Sequence, residues 1–243
     1  MSQVFIGTSG WSYPHWNGVL YPEDCPPSQK LGLYQQEFET AELNSSYYQW
    51  PARSSFISWK RRLRPEFRLA IKAPGALTHQ KRLYGPENWL HRIASDLEVL
   101  GDKGGPLLVQ IPPTLPVDLP RLHYFLEQLP EQIKVAMEFR HSSWHCESVF
   151  EALARHQVAY CVMSGAGLPC ILRATTNFVY VRLHGPSTEA MYAGSYSDDS
   201  LRWWSERIRE WCEQGRDVYA YFNNDGEGNA VRNALALRQL LTL

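Results

Sequence analysis

Short apolar runs typical of β-strands alternate along the whole chain with longer stretches of helical periodicity. The eight strand candidates span residues 4–10, 40–46, 67–73, 107–113, 135–141, 159–164, 179–185 and 218–224. Between Val4 and Val218 the strands recur about every 31 residues, and a (β/α)₈ barrel of about 250 residues has the same spacing. The pattern therefore predicts an α/β protein with the (β/α)₈ TIM-barrel fold.

Apolar residues at helical spacing fill most of the intervals between these strands. The predicted helices span residues 54–63, 89–101, 119–129, 148–156, 200–215 and 230–241. Ser200 is the predicted N-cap of the helix at 200–215, and Gly215 ends it. Residues 165–177 carry little helical signal, so the sixth helix is predicted to be short or replaced by a loop. Because no linker or repeat interrupts the chain, residues 1–243 are predicted to form one domain.

The composition is that of an ordinary globular protein. The 24 basic and 25 acidic side chains give a net charge of −1, and 44% of residues are hydrophobic. These values exclude a disordered chain and a strongly basic protein that coats nucleic acid. The five cysteines form no CxxC pair, the first residues do not resemble a signal peptide, and no apolar run approaches a membrane span. A cytoplasmic protein without membrane partners is therefore predicted.

The strands separate apolar from polar side chains by parity, because successive side chains of a strand point to opposite faces. One parity is apolar, as in Leu107, Val109 and Ile111. The other carries polar side chains near the C-terminal strand ends: Glu42, Asn44, Lys72, Gln110, Glu138, Arg140, Arg182, His184 and Asn223. Active sites of (β/α)₈ barrels lie at that end. Burying so many polar groups is costly unless each has a partner, so a ligand site is predicted, with a purely structural ion-pair network as the alternative.

Several ordered motifs resemble one protein family over nearly the whole chain. They are GTSGWSYPHW, FETAELNSSYY, FRLAIKAP with THQKRL, GPLLVQIPP, AMEFRHSSW, VYVRLHG and YAYFNN. This pattern resembles the YecE-like family, domain of unknown function 72, whose known folds are similar to TIM barrels and whose reaction is not established. The positions that match the family motifs are Ser9, Gly10, Trp11, Glu42, Asn44, Lys72, His79, Arg82, Gln110, Pro112, Glu138, Arg140, Trp144, Arg182, His184, Gly185, Tyr196, Asn223 and Asn224.

General acid–base chemistry suits these side chains, since carboxylates, a histidine and a lysine among arginines can all transfer protons. The candidate catalytic residues are Glu42, Lys72, Glu138 and His184. The candidate substrate-binding residues are Asn44, His79, Gln110, Arg140, Arg182, Asn223, Trp11 and Tyr196. Trp11 and Tyr196 are aromatic residues that can stack on a ring, and the alternative, which the pattern favours slightly, is a hydrophobic lid over the barrel mouth.

The inward charges favour a small anionic substrate that carries a phosphate or a carboxylate. Lys72 and two arginines outnumber the two carboxylates, and a guanidinium group matches both kinds of anion. The predicted anion site comprises Arg182, Arg140 and Lys72, with Asn223 from the last strand. The alternative is that Glu138 and Glu42 neutralise the two arginines.

No metal or cofactor is predicted. The chain has no HxH, HExxH or DxD spacing, and it has no glycine-rich nucleotide motif. The best-supported interpretation is a metal-independent enzyme. Two alternatives stay open: a phosphodiesterase similar to endonuclease IV that acts on nucleic acid, which requires a metal cluster and a basic rim, and a non-catalytic ligand-binding barrel. These patterns do not determine the substrate, the reaction or the oligomeric state.

Overall fold

The computed structural model describes residues 2–165, 167–187 and 190–243. Its strands are β1 (Val4–Thr8), β2 (Thr40–Leu43), β3 (Arg68–Lys72), β4 (Gly104–Ile111), β5 (Val135–Phe139), β6 (Ala159–Ser164), β7 (Phe178–Leu183) and β8 (Asp217–Phe222). Its α-helices are α1 (Pro27–Glu37), α2 (Arg53–Arg62), α3 (Glu87–Leu100), α4 (Leu119–Glu127), α5 (Glu147–Arg155), α6 (Asp198–Glu213) and α7 (Asn229–Leu241). The strands are parallel in the order β1-β8-β7-β6-β5-β4-β3-β2, which confirms the predicted (β/α)₈ class.

The chain forms two compact units, and β2 and β6 contribute residues to both. The first unit comprises Met1–Glu42, Val162–Leu172 and Asn177–Leu243, and the second comprises Leu43–Cys161 and Arg173–Thr176. In the first unit β8 pairs with β1 and β7, which places Arg182 opposite Tyr221. In the second unit β4 pairs with β3 and β5, which places Gln110 opposite Glu138. The prediction of a single domain stays a prediction.

The sixth helix is replaced by a loop, as the weak helical signal predicts. Of residues 165–177 the structure describes all but residue 166, and none of those described is helical. Helix α1, in contrast, was not predicted. It starts after Pro26 and contains the exposed Gly32, and its buried residues include Lys30 and Gln35 beside Leu31 and Tyr34. A helix that buries polar residues lacks the apolar periodicity by which helices are recognised.

The structure corrects the predicted start of α6. Ser197, not Ser200, is the N-cap, since the Ser197 side chain accepts a hydrogen bond from the Ser200 backbone N–H. Asp198 and Asp199 then occupy the first turn, where negative charge suits the helix dipole. Gly215 follows the helix with a φ of 80°, as predicted for the residue that ends it.

Ser197→Ala should destabilise the protein measurably, whereas Ser200→Ala should not. Loss of a serine N-cap costs about 0.5–2 kcal/mol, because a backbone N–H of the first turn loses its acceptor. Urea unfolding of both variants measures the difference in the free energy of unfolding. Equal stability of the two variants would contradict the assignment of Ser197 as the cap.

The apolar parity of the strands forms the core. Leu107, Val109 and Ile111 of β4 and Met137 and Phe139 of β5 are fully buried. All five cysteines are free thiols. Within the part of the chain that the structure describes, no helix combines the length and apolar character needed to cross a membrane. The cytoplasmic location stays a prediction.

Candidate functional site

A buried carboxylate–guanidinium pair lies in the first unit. Glu42 is 0% exposed and Arg182 is 1% exposed. Two guanidinium nitrogens of Arg182 donate to the two carboxylate oxygens of Glu42, Nη2 to Oε1 at 2.7 Å and Nε to Oε2 at 3.0 Å. Ser9 Oγ donates to Oε1 at 2.6 Å, and the Tyr180 hydroxyl donates to Oε2 at 2.7 Å. Each carboxylate oxygen therefore accepts two hydrogen bonds.

These contacts keep Glu42 ionised. Burial alone would raise the pKa of the Glu42 carboxyl group, but the charge of Arg182 and the hydrogen bonds from Arg182, Ser9 and Tyr180 outweigh it, so the pKa is lowered from 4.5. Burial and the neighbouring Glu42 carboxylate raise the pKa of Tyr180 well above 10, so the hydroxyl stays protonated and donates. A carboxylate that is fully hydrogen-bonded and permanently charged is a poor proton carrier.

Three further predicted site residues lie in the first unit. His184 is fully buried, and the Asn223 amide nitrogen lies 3.2 Å from His184 Nδ1, which sets Nδ1 as the acceptor. The Tyr196 hydroxyl accepts from the Gly185 backbone N–H at 3.1 Å and contacts the Ser164 hydroxyl at 3.1 Å. Burial raises the pKa of Tyr196 to about 12. Tyr196 therefore anchors the backbone around His184 with its hydroxyl group.

The second unit contains a separate cluster around Glu138. This carboxylate is fully buried, and its Oε1 accepts hydrogen bonds from Gln110 Nε2 at 2.6 Å and from Arg140 Nε. The Cys161 thiol lies 3.9 Å from Oε2. The Arg140 side chain is 8% exposed. Gln110 and Glu138 are paired in the register of β4 and β5, so the pairing of these two strands places the Gln110 amide next to the Glu138 carboxylate.

Lys72, Tyr47 and His79 adjoin one another in the same unit. Lys72 Nζ lies 4.6 Å from the centre of the Tyr47 ring. The centres of the His79 and Tyr47 rings are 4.9 Å apart, and the two rings are nearly perpendicular. His79 Nδ1 lies 2.9 Å from the Thr78 hydroxyl. Burial, Lys72 and Arg140 together lower the pKa of His79 from 6.5. This imidazole is therefore neutral at pH 7, next to two cations.

Two predicted binding residues have simpler surroundings. Asn44 follows β2 and is half-buried, and its side-chain oxygen Oδ1 is buried with no hydrogen-bond donor among the described residues. Trp11 is half-buried, and its backbone carbonyl accepts from the Tyr21 hydroxyl. Trp144, which matches a family motif, stacks on Phe139 and donates from its indole N–H to the Leu115 carbonyl, as a core residue does.

The structure thus groups predicted site residues by contact within each unit: Glu42 with Arg182 and His184 with Asn223 in the first, and Gln110 and Arg140 with Glu138 in the second. Convergence of all of them on a single pocket stays a prediction. Both arginines have a carboxylate partner, Arg182 with Glu42 and Arg140 with Glu138, which is the alternative pairing that the sequence left open. Tyr47 and Tyr180 were missed. Tyr180 had a usable signal, because it shares strand parity with Arg182 two residues later.

No three His, Cys, Asp or Glu side chains within the described ranges come close enough to one another to hold a metal ion. The predicted independence from metals and cofactors stays a prediction. The combination of one neutral imidazole, one ammonium and one guanidinium group in the second unit is suited to binding an anion and moving a proton.

The comparisons with known proteins agree with the motifs. A family model described as "Protein of unknown function DUF72" matches residues 5–243. The chain is 26% identical to the UPF0759 protein YunF of Bacillus subtilis over 99% of this chain and 95% of that protein. It is 27% identical to the UPF0759 protein YecE of Escherichia coli over 57% of this chain and 48% of that protein.

Solved structures show the same fold. A crystal structure of a DUF72 family protein from Thermotoga maritima matches with a TM-score of 0.89 and 31% identity, over 99% of this chain and all of that chain. A DUF72 family protein from Enterococcus faecalis matches with a TM-score of 0.84 and 17% identity, over 99% of this chain and 96% of that chain. The family match covers nearly the whole sequence, and the chain therefore belongs to the DUF72 family of proteins of unknown function.

Proposed function

We propose that the protein is an enzyme that acts on a small anionic compound, which Lys72 and Arg140 bind beside His79. The observation that carries this proposal is the lowered pKa of His79, caused by burial and by the charges of Lys72 and Arg140. Lys72 and Arg140 act on this imidazole with two positive charges against the single carboxylate of Glu138. Each cation is placed by a buried strand or by the segment that follows it. An anion bound there would offset the repulsion between these groups.

The three side chains have different roles in this proposal. Lys72 is a compact point charge that lies over the Tyr47 ring. Arg140 is oriented by Glu138, which binds its Nε. His79 is uncharged at neutral pH and half-buried, so it can accept a proton from a bound substrate or donate one hydrogen bond to it. Small carboxylates and phosphate esters fit this set of groups.

The Glu42–Arg182 pair is a structural anchor in this proposal and not the acid–base group. All four hydrogen-bonding sites of the carboxylate are occupied, and its pKa is lowered. The predicted substrate-binding role of Asn223 and the predicted catalytic role of His184, whose side chains contact each other in the first unit, stay predictions. The proposal therefore narrows the predicted anion site to the residues of the second unit.

Sulfate, a simple dianion, should bind to the wild-type protein. The Lys72→Met variant should bind it with an affinity that is at least about tenfold lower. A hydrogen bond to a charged group contributes about 1.5–3 kcal/mol, which corresponds to roughly a 10- to 100-fold change in affinity. Isothermal titration calorimetry measures this directly. Lys60→Met is the matched control, since it removes an exposed lysine of α2 from the same unit. Equal losses in both variants would contradict a specific site.

Sulfate affinity should also rise as the pH falls below 6.5. The pKa of His79 in the free protein is lowered from 6.5, so the imidazole is neutral above this value and gains a positive charge only below it. A bound dianion favours the protonated form, and linkage then tightens binding as the proton is taken up. The same titrations on His79→Asn, which keeps a polar group for Thr78, should show a weaker pH dependence.

Turnover can be sought without knowing the substrate. Proton NMR in D₂O on mixtures of small carboxylates and phosphate esters detects both exchange of a substrate proton and formation of a new product. Activity that is lost in His79→Asn would support the acid–base role. Binding of the anions without exchange or turnover would instead support the non-catalytic alternative.

A further inference from the structure

A pair of titratable side chains in the first unit, His15 and Asp225, belongs to none of the contact groups described above. His15 is in the segment after β1, and Asp225 is in the segment after β8. The two residues are 210 positions apart in sequence, but they follow strands that pair with each other. His15 Nε2 lies 3.1 Å from Asp225 Oδ2 and 3.0 Å from the Asp225 backbone carbonyl oxygen. Both positions follow the C-terminal ends of parallel strands, where active sites of this fold are built.

The two acceptors determine the tautomer of His15. A carboxylate and a carbonyl oxygen only accept hydrogen bonds, so Nε2 must carry the proton. In the neutral imidazole the other nitrogen, Nδ1, then holds the lone pair and is the basic atom. The His15 side chain is 44% exposed, whereas that of Asp225 is 19% exposed. The basic nitrogen Nδ1 therefore belongs to an accessible side chain, whereas the Asp225 carboxylate that binds Nε2 is more buried.

Surrounding groups hold this arrangement in place. Trp16 Nε1 donates to Asp225 Oδ1 at 2.6 Å, which orients the carboxylate. The Tyr13 ring packs against both the His15 and Trp16 rings, and its hydroxyl donates to the Ser9 carbonyl at 2.7 Å. Lys30 Nζ donates to the Tyr13 carbonyl at 2.8 Å. Such supporting bonds are what a fixed catalytic imidazole requires and what a chance surface ion pair lacks.

Gly10 allows the Tyr13 ring to take this position. Gly10 has a φ of 91°, and a Cβ atom added there would lie 2.7 Å from the Tyr13 hydroxyl oxygen.

Burial raises the pKa of Asp225, and the charge of His15 and the hydrogen bonds from Trp16 and His15 offset this rise only in part. The carboxylate next to His15 disfavours an anion at this point.

We propose that His15 and Asp225 form a general-base dyad that acts on uncharged substrates such as esters. In ester hydrolysis, water attacks the carbonyl carbon while its proton passes to His15 Nδ1, and Asp225 stabilises the resulting imidazolium. The bond between the carbonyl carbon and the alcohol oxygen then breaks. The leaving oxygen takes the electron pair, and the proton on Nδ1 returns to it or to solvent. The dyad is independent of the anion site, because no residue is shared.

Reactivity of the wild-type protein provides the first test. Diethyl pyrocarbonate attacks unprotonated imidazole nitrogen, and peptide mass spectrometry at pH 7 gives the rate at each histidine. His15 should react several-fold faster than His91, an exposed histidine of α3 that serves as the internal control. A rate at His15 equal to or below that at His91 would overturn the dyad, and this comparison requires no variant that has to fold.

Hydrolysis of 4-nitrophenyl acetate, an uncharged ester, provides the second test. The protein-dependent rate should fall at least about tenfold in His15→Gln and in Asp225→Asn, and His91→Gln should retain the wild-type rate. Asp225→Asn keeps an acceptor oxygen for Trp16, so near-UV circular dichroism should be unchanged. Retention of the full rate by His15→Gln would overturn the proposal, whether or not sulfate binds at the other site.

Discussion

Glu42→Gln should destabilise the folded protein by about 3–5 kcal/mol, the usual cost of removing one partner of a buried ion pair. Arg182 is only 1% exposed, and the substitution removes the carboxylate charge that neutralises it. The new amide N–H₂ would also face Tyr180 and Arg182, which both donate hydrogen bonds to Glu42. Urea unfolding at pH 7 measures the free energy of unfolding. Unchanged stability would mean that Arg182 does not depend on Glu42.

Two controls separate this effect from a general effect of charge. Glu147→Gln removes the partner of Arg173 in a pair whose side chains are 59% and 47% exposed, and such surface pairs contribute only about 0–1 kcal/mol. Combining Glu42→Gln with Arg182→Met should recover part of the loss, because no buried guanidinium then remains without its counter-charge. Absence of recovery would indicate that shape, not charge, determines the cost.

The pH dependence of stability should follow from the same pair. The pKa of Glu42 is lowered from 4.5 in the folded state. Its contribution is therefore complete above 4.5 and is lost as the pH falls through the folded-state pKa. The difference in unfolding free energy between the wild-type protein and Glu42→Gln should shrink below pH 4.5.

In the absence of anions, Glu138→Gln should lower the free energy of unfolding by about 3–5 kcal/mol, because it removes the buried carboxylate that binds Arg140. The new amide would also oppose the Gln110 amide nitrogen, which donates to the carboxylate at 2.6 Å. Sulfate should then stabilise the variant more than the wild-type protein, since an anion can neutralise Arg140 in place of Glu138. Thermal unfolding with increasing sulfate measures this difference.

The opposite outcome is equally informative. A melting temperature equal to that of the wild-type protein, together with lost sulfate binding, would mean that Glu138 acts on the bound ligand and not on the stability of Arg140. Glu147→Gln is again the matched control, because it changes the same side-chain type at an exposed position of the same unit. Its response to sulfate should equal that of the wild-type protein.

The strands were predictable because their pattern depends on local chemistry. All eight observed strands start within three residues of the predicted starts, the largest difference being β4, which begins at Gly104 instead of Leu107. Residues 104–106 read as Gly-Gly-Pro, a composition typical of turns. In the structure Gly105 belongs to β4 and packs closely against Ala70 of β3. A Cβ atom at this position would lie 2.8 Å from the Ala70 backbone nitrogen, so the contact requires glycine.

The candidate site was predictable only in its list of residues. Strand parity placed Glu42 and Arg182 on the inward faces, because alternation has a period of two in any strand. It did not reveal that they bind each other across 140 residues of sequence, or that Tyr180 completes the set. Hydrogen-bond partners depend on strand register and rotamers, which the pattern of one strand does not contain.

The sequence by itself determined the fold class, the loop in place of the sixth helix and the family, because each of these follows from periodicity or from ordered motifs read along the chain. Only the tertiary structure decided which charges neutralise each other and which imidazoles have a partner. Burial and the charges of Lys72 and Arg140 lower the pKa of His79, and His15 is paired with Asp225 from the far end of the chain. Burial and proximity set these properties, and both arise only when distant strands pair.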